Sequence, residues 1–151
     1  MTIQSANINT STSRALQLVG NTPLVEIIGL SPNPKVRIFA KLESYNLTGS
    51  VKARAAASIL KEAADAGKIK KGSTILDASS GNTGIAYAAL ASIHGYKLKL
   101  CLPSNANLER KKMLQAYGAD CILTSPLEGS DGAIREAQRL SKEHPDWFYC
   151  D

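Results

Sequence analysis

Between residues 36 and 150 the chain alternates short apolar runs with longer stretches whose apolar positions recur every three or four residues. The runs "VRIFAKLE" (36–43), "TILDA" (74–78), "KLKLCL" (97–102), "CILT" (121–124) and "WFYC" (147–150) have the length and the flanking turn residues of strands. Between them the pattern predicts helices from Ser50 to about Ala66, from about Asn82 to Ile93, over 107–118 closed by Gly118, and over 130–144. Strand and helix in strict turn imply parallel strands joined by right-handed crossovers. The expected fold class is therefore α/β, a parallel sheet flanked by helices on both faces.

Upstream, "SRALQLVG" predicts a short helix stopped by Gly20, and "NTPLVEI" an extended segment, because Pro23 disfavours helix before it. "SPNPK" is a loop. Residues 1–12, rich in Ser, Thr and Asn and without periodicity, are expected to form a disordered or loosely docked tail. At the other end, an apolar strand runs to Asp151 without the polar element that usually closes a domain, which suggests a cut.

Composition agrees with this picture and narrows the partners. The 151 residues are 44% hydrophobic and 21% charged, with aromatics at 5%, so the core should be built from aliphatic and small side chains. The net charge of +5 comes from basic residues scattered among acids and without interleaved aromatics, which argues against nucleic acid. Three cysteines without a CxxC pair suggest neither a disulfide framework nor a zinc site, and a reducing cytoplasm is expected. No apolar run approaches the ~18 residues of a membrane span, so no membrane partner is expected. His94 and His144 stand at helix ends and suggest capping, while Met113, Leu114 and Tyr117 are spaced as a core stripe.

Two stretches carry candidate chemistry. In "TGSVKAR" (48–54) a lysine stands at a helix start, where the backbone dipole is already positive. Steps along the helix from Lys52 meet Ala55, Ala56, Ile59 and Ala63, which would put it on the buried stripe, whereas steps from Arg54 meet Ser58, Lys61, Glu62 and Asp65, a solvent face. Burial and the helix end would both lower the pKa of an inward Lys52 and make it a nucleophilic amine suited to Schiff-base chemistry. The alternative is a lysine that snorkels out of the first turn. In "DASSGNTGIAYAAL" (77–90), Ser, Gly and Asn form a turn between strand and helix whose N–H groups would converge on an anion. The same residues also suit a serine-rich cap without a ligand.

Taken together, "VGNTPLVEI", "KLESYNLTGSVKAR", "SSGNTGIA", "LPSNANLERKKMLQAYGADCILT" and "GAIREAQRL" resemble, in order and spacing, the N-terminal half of the cysteine synthase and cystathionine β-synthase family of fold-type II pyridoxal-phosphate enzymes. The resemblance implies that Lys52 forms the internal imine with pyridoxal 5'-phosphate and later removes the substrate's α-proton. It implies that Asn82 holds the cofactor's ring hydroxyl oxygen, and that Ser79, Ser80, Gly81 and Thr83 form the loop that clasps the substrate's α-carboxylate. It further implies β-replacement on O-acetylserine or serine by sulfide or a thiol, a homodimer, and a segment 13–45 that packs with a large domain while 46–151 forms the small one. Thr83-Gly84-Ile85 stands where serine and threonine dehydratases usually carry a histidine, which favours the cysteine synthase branch.

The chain departs from the family at Ala53 and Leu47, where Asp and Pro are usual. The family's glycine- and threonine-rich cup for the cofactor phosphate lies further along its members than these 151 residues reach, so weak cofactor binding and poor turnover are expected of this chain alone. Two other readings compete: a non-catalytic module that pairs with a homologue or regulatory partner, and a binder of small carboxylates that keeps only the fold.

Overall fold

Alternate side chains of β3 (Thr74–Ala78) and β4 (Lys97–Pro103) go to opposite faces of one parallel sheet, and this alternation decides the architecture. Ile75, Leu98, Leu100 and Leu102 pack with Ala56 and Leu60 of α1 (Lys52–Asp65), with Ala86 and Leu90 of α2 (Asn82–His94) and with Leu114 of α3 (Leu108–Ala116). Leu76 and Cys101 turn the other way and meet Ala133, Ala137 and Leu140 of α4 (Gly129–Glu143). With β5 (Asp120–Thr124) and β6 (Phe148–Tyr149) the sheet has the order β5-β4-β3-β6, every pair parallel. The expected α/β class, with helices on both faces, is what forms. The computed structural model describes residues 14–150, so the tail expected over 1–12 lies outside the described residues.

The first strand departs from expectation. Of "VRIFAKLE" only Phe39–Lys41 (β2) is strand, and it pairs antiparallel with β1 (Leu24–Glu26) in a separate two-stranded ribbon. The two segments are neighbours across the "SPNPK" loop, and antiparallel pairing needs only such a local connection, whereas joining the parallel sheet would need a crossover. Leu24, Val25, Ile27 and Phe39 remain exposed on this ribbon.

Helix α2 is buried almost all round from Gly84 to Ala91, because its small side chains let it sit between α1, α3 and the sheet. Gly84 is required there: a Cβ would stand 2.7 Å from the Ser79 carbonyl oxygen and 3.3 Å from Leu100 Cδ1. The stripe expected on α3 is narrower than the sequence suggests. Leu114 is fully buried, but Met113 and Tyr117 are exposed, since α3 meets the core only along its contacts with α2 and β5. His94 ends α2 stacked on Tyr96, where burial lowers its pKa, and His144 stacks on Trp147. Among the described residues no helix is long and apolar enough to cross a membrane.

Candidate functional site

Helices α1 and α2 run in the same direction. Lys61 and Asp65 near the end of α1 share one groove with Leu90 and His94 near the end of α2, so the C-terminal halves lie side by side. The N-termini therefore lie at a common end, which brings Lys52 and Asn82, the first residues of their helices, to the same side of the molecule. This is also the side of the carboxyl ends of the strands, because the chain passes from Ala78 at the end of β3 directly into the 79–81 turn. Open α/β sheets bind ligands at this edge.

Lys52 is exposed, with its N–H donating to Ser50 Oγ at 3.2 Å. The buried stripe of α1 runs through Ala53, Ala56, Leu60 and Ala63, one position away from the stripe expected through Lys52. Arg54, expected on the solvent face, is half-buried against the 43–46 turn: Nε donates to Glu43 Oε2 at 2.9 Å and Nη2 to Glu43 Oε1 at 3.0 Å. Residues 53–57 of this helix are alanines save Arg54, so two adjacent rotations bury nearly the same apolar surface. The Arg54–Glu43 pair ties the first turn of α1 to the 43–46 turn. Lys52 itself is exposed, so the outward reading of that side chain holds in this structure.

In the second turn Ser79 is the structural centre. Its Oγ accepts from the N–H groups of Gly81 at 3.3 Å and Gly84 at 3.0 Å, two of the donors that a helix start leaves open. The first ladder bond of α2 runs from Ile85 N–H to the Gly81 carbonyl. The amides of Asn82 and Thr83 thus belong to the open N-terminal turn, with Asn82 exposed and Thr83 half-buried. Ser79 and Ser80 line a small cleft with Ala78, Cys101 and Pro103, closed on its far side by Ser130 and Ala133 of α4.

Sequence reasoning missed several neighbours of these residues. Arg110 Nη1 donates to the Ser80 carbonyl at 3.4 Å and stands 4.0 Å from where a Gly81 Cβ would be. Nothing in the spacing of "LERKK" marks that contact. Glu43 was legible only as part of a motif, and its eleven-residue separation from Arg54 gives no local signal. Two buried hydroxyls lack a partner among the described residues, Thr48 Oγ1 in the loop before Lys52 and Thr124 Oγ1 at the end of β5. An accessible primary amine, an exposed carboxamide and open helix-terminal amides on one side of the molecule suit a carbonyl compound together with an anion.

A family model described as "Pyridoxal-phosphate dependent enzyme" matches residues 15–151. The chain is 46% identical over 140 residues to a cysteine synthase of Aquifex aeolicus, covering 90% of this chain and 43% of that protein. Among solved structures it is similar to a cysteine synthase from Entamoeba histolytica, with TM-score 0.83 and 35% identity over 99% of this chain and 46% of the other. It is likewise similar to a hydrogen sulfide-producing enzyme from Fusobacterium nucleatum, with TM-score 0.82 and 40% identity over 93% of this chain and 42% of the other. The chain spans less than half the length of the curated relatives it matches.

Proposed function

Because the chain belongs to the pyridoxal-phosphate dependent enzyme family, aligned with the N-terminal part of its cysteine synthases, we propose that it carries the lysine and substrate-loop half of a β-replacement site. The reaction so inferred takes O-acetylserine or serine and adds sulfide or a thiol at the β-carbon, giving cysteine or a related thioether amino acid. The observation that carries this reading is the placing of Lys52 and Asn82 at the N-termini of α1 and α2 on one side of the molecule, the side of the Ser79–Thr83 turn.

The residues present fit the family's cofactor. Lys52 offers an accessible amine, Asn82 a side-chain amide for a ring oxygen, and the buried Thr48 hydroxyl in the loop before α1 is an unspent polar group among the described residues. When bound, pyridoxal phosphate supplies an electron sink for charge that develops at the substrate's α-carbon. Lys52 Nζ would hold the cofactor's aldehyde and would be the group that takes up the proton lost from that carbon. Ser79 shapes the turn, since its hydroxyl is spent on Gly81 and Gly84. That leaves Ser80, Thr83 and the N–H groups of Asn82 and Thr83 to receive the substrate's carboxylate.

The exposed apolar side chains of the β1–β2 ribbon support packing of the N-terminal segment, 13–45, against further protein, with 46–151 as the small domain. A homodimer in a reducing cytoplasm accords with this reading. The same apolar face also favours a second reading, a non-catalytic module that pairs with a homologue, whose mark would be stoichiometric co-purification without cofactor colour.

The test is the visible absorbance that develops when pyridoxal phosphate is added to the 151-residue chain, with Lys52→Ala as control. A weak, Lys52-dependent band with little cysteine formed from O-acetylserine and sulfide is expected. A band unchanged in Lys52→Ala would overturn the role given to Lys52. Efficient cysteine formation by the 151 residues would overturn the inference that they hold only part of the site.

A further inference from the structure

Two positions beyond Lys52, Arg54 reaches into a half-buried polar cluster that the β-replacement reading leaves unused. Its Nη2 donates to Thr22 Oγ1 at 3.0 Å as well as to Glu43, and the Thr22 hydroxyl donates to Glu43 Oε1 at 2.9 Å. Asn46 Nδ2 donates to Glu43 Oε2 at 2.5 Å and to the Glu43 carbonyl at 3.0 Å, while its Oδ1 accepts from Gly20 N–H at 2.8 Å. Thr22 and Asn46 are each only 5% exposed. The cluster joins three stretches far apart in sequence: the 20–22 turn, the 43–46 turn and the first turn of α1.

Three observations indicate that this first turn depends on the cluster. Its local determinants are weak: Val51 makes no side-chain cap bond, no acidic residue stands in the first turn, and the Ser50 hydroxyl reaches only the Lys52 amide. The 20–21 turn is shaped around the guanidinium, with Gly20 at φ +82° and a would-be Cβ only 3.0 Å from Arg54 Nη1, and with Asn21 also at positive φ, 47°. Finally, residues two apart on an α-helix point roughly 200° away from each other, so with Arg54 facing the cluster Lys52 faces away from it.

We propose that the Thr22–Glu43–Asn46–Arg54 cluster is a positioning device for Lys52, setting the rotation and the start of α1 so that Nζ stays on the side shared with Asn82. Arg54 and Glu43 are positioning residues: they act through Lys52 and touch neither substrate nor cofactor. The inference rests on the reading of Lys52 as the amine that takes the cofactor, and extends it to what holds that amine.

The test uses the 151-residue chain, pyridoxal phosphate and borohydride. The aldehyde carbon bonds a lysine Nζ with loss of one water, and hydride from borohydride then converts that linkage to a stable amine, so peptide mapping reads the share of label on each lysine. Lys61 and Lys112, both exposed, serve as internal controls. Wild type should label Lys52 preferentially, and Arg54→Ala should lower the Lys52 share about tenfold, since misplacement by an ångström is costly to reaction, with the controls unchanged. Arg54→Lys, which keeps the charge but loses the bidentate fork, should recover part of it.

Should Arg54→Ala fail to fold by circular dichroism, Glu43→Gln replaces it with the same expectation. A Lys52 preference kept in a folded Arg54→Ala or Glu43→Gln chain overturns the inference and leaves the Lys52 assignment standing. A wild-type chain without any preference for Lys52 overturns that assignment and this inference with it.

Discussion

Arg54 holds Glu43 through both carboxylate oxygens, at 2.9 and 3.0 Å, two positions along the helix from the lysine on which the proposed chemistry depends. The pair is bidentate, and Thr22 and Asn46 satisfy the remaining lone pairs of the carboxylate. Such a pair specifies geometry more than it adds stability, because both partners keep part of their surface in water.

The pair should be visible in acid. The Arg54 guanidinium, with help from Thr22 and Asn46 and against a smaller effect of burial, brings the Glu43 carboxyl from 4.5 down to about 2. A carboxyl lowered in the folded state contributes stability above its unfolded pKa and loses it as pH falls towards the folded one. The stability difference between wild type and Glu43→Gln should therefore be constant above about pH 4.5 and shrink towards pH 2. Urea midpoints measured across that range check this, and a difference that does not change with pH would count against it.

Gly84→Ala should destabilise the chain by about 1–3 kcal/mol, the usual cost of overpacking. The new methyl would fall 2.7 Å from the Ser79 carbonyl oxygen, which cannot move without carrying the 79–81 turn with it. Urea unfolding gives the cost, and amide shifts at Gly81 and Asn82 report the displaced turn.

Ser79→Ala removes a hydroxyl that accepts two amides at the start of α2, and should cost roughly 1 kcal/mol. Among the described residues no hydrogen bond of this kind depends on the Ser80 hydroxyl, so Ser80→Ala should stay within about 0.5 kcal/mol, as surface changes usually do. Equal costs for the two variants would contradict the division of labour drawn for this turn.

On α3 the two adjacent residues Met113 and Leu114 should respond differently. Leu114→Ala opens a cavity in the core and should cost about 2–5 kcal/mol. Met113→Ala, at a side chain 44% exposed, should cost well under half of that. Thermal or urea unfolding of the two single variants decides the point.

Much of the fold was legible because it rests on local periodicity. Strand Thr74–Ala78 and the helices beginning at Asn82 and near Ser50 follow from alternation, apolar spacing and turn residues that lie within a few positions of one another. The Ser79–Thr83 turn was legible for the same reason: cap, glycine and helix start are contiguous in the chain. Lys52, Asn82 and the turn could thus be singled out from the sequence alone, together with the family they resemble.

Tertiary contacts decided the rest. Residues 36–43 carry a good strand pattern, but whether such a segment joins the sheet or a separate ribbon depends on which partner is nearest in space. The exact rotation of α1 could not be read from an alanine-rich helix, because its apolar positions span a broad arc and neighbouring rotations bury similar surface. One long-range pair, Arg54 with Glu43, ties the start of this helix to the 43–46 turn, with Arg54 half-buried and Lys52 exposed. Sequence periodicity records which residues a helix has to bury; where several faces serve equally well, the directional bonds of a few polar side chains across the fold select one.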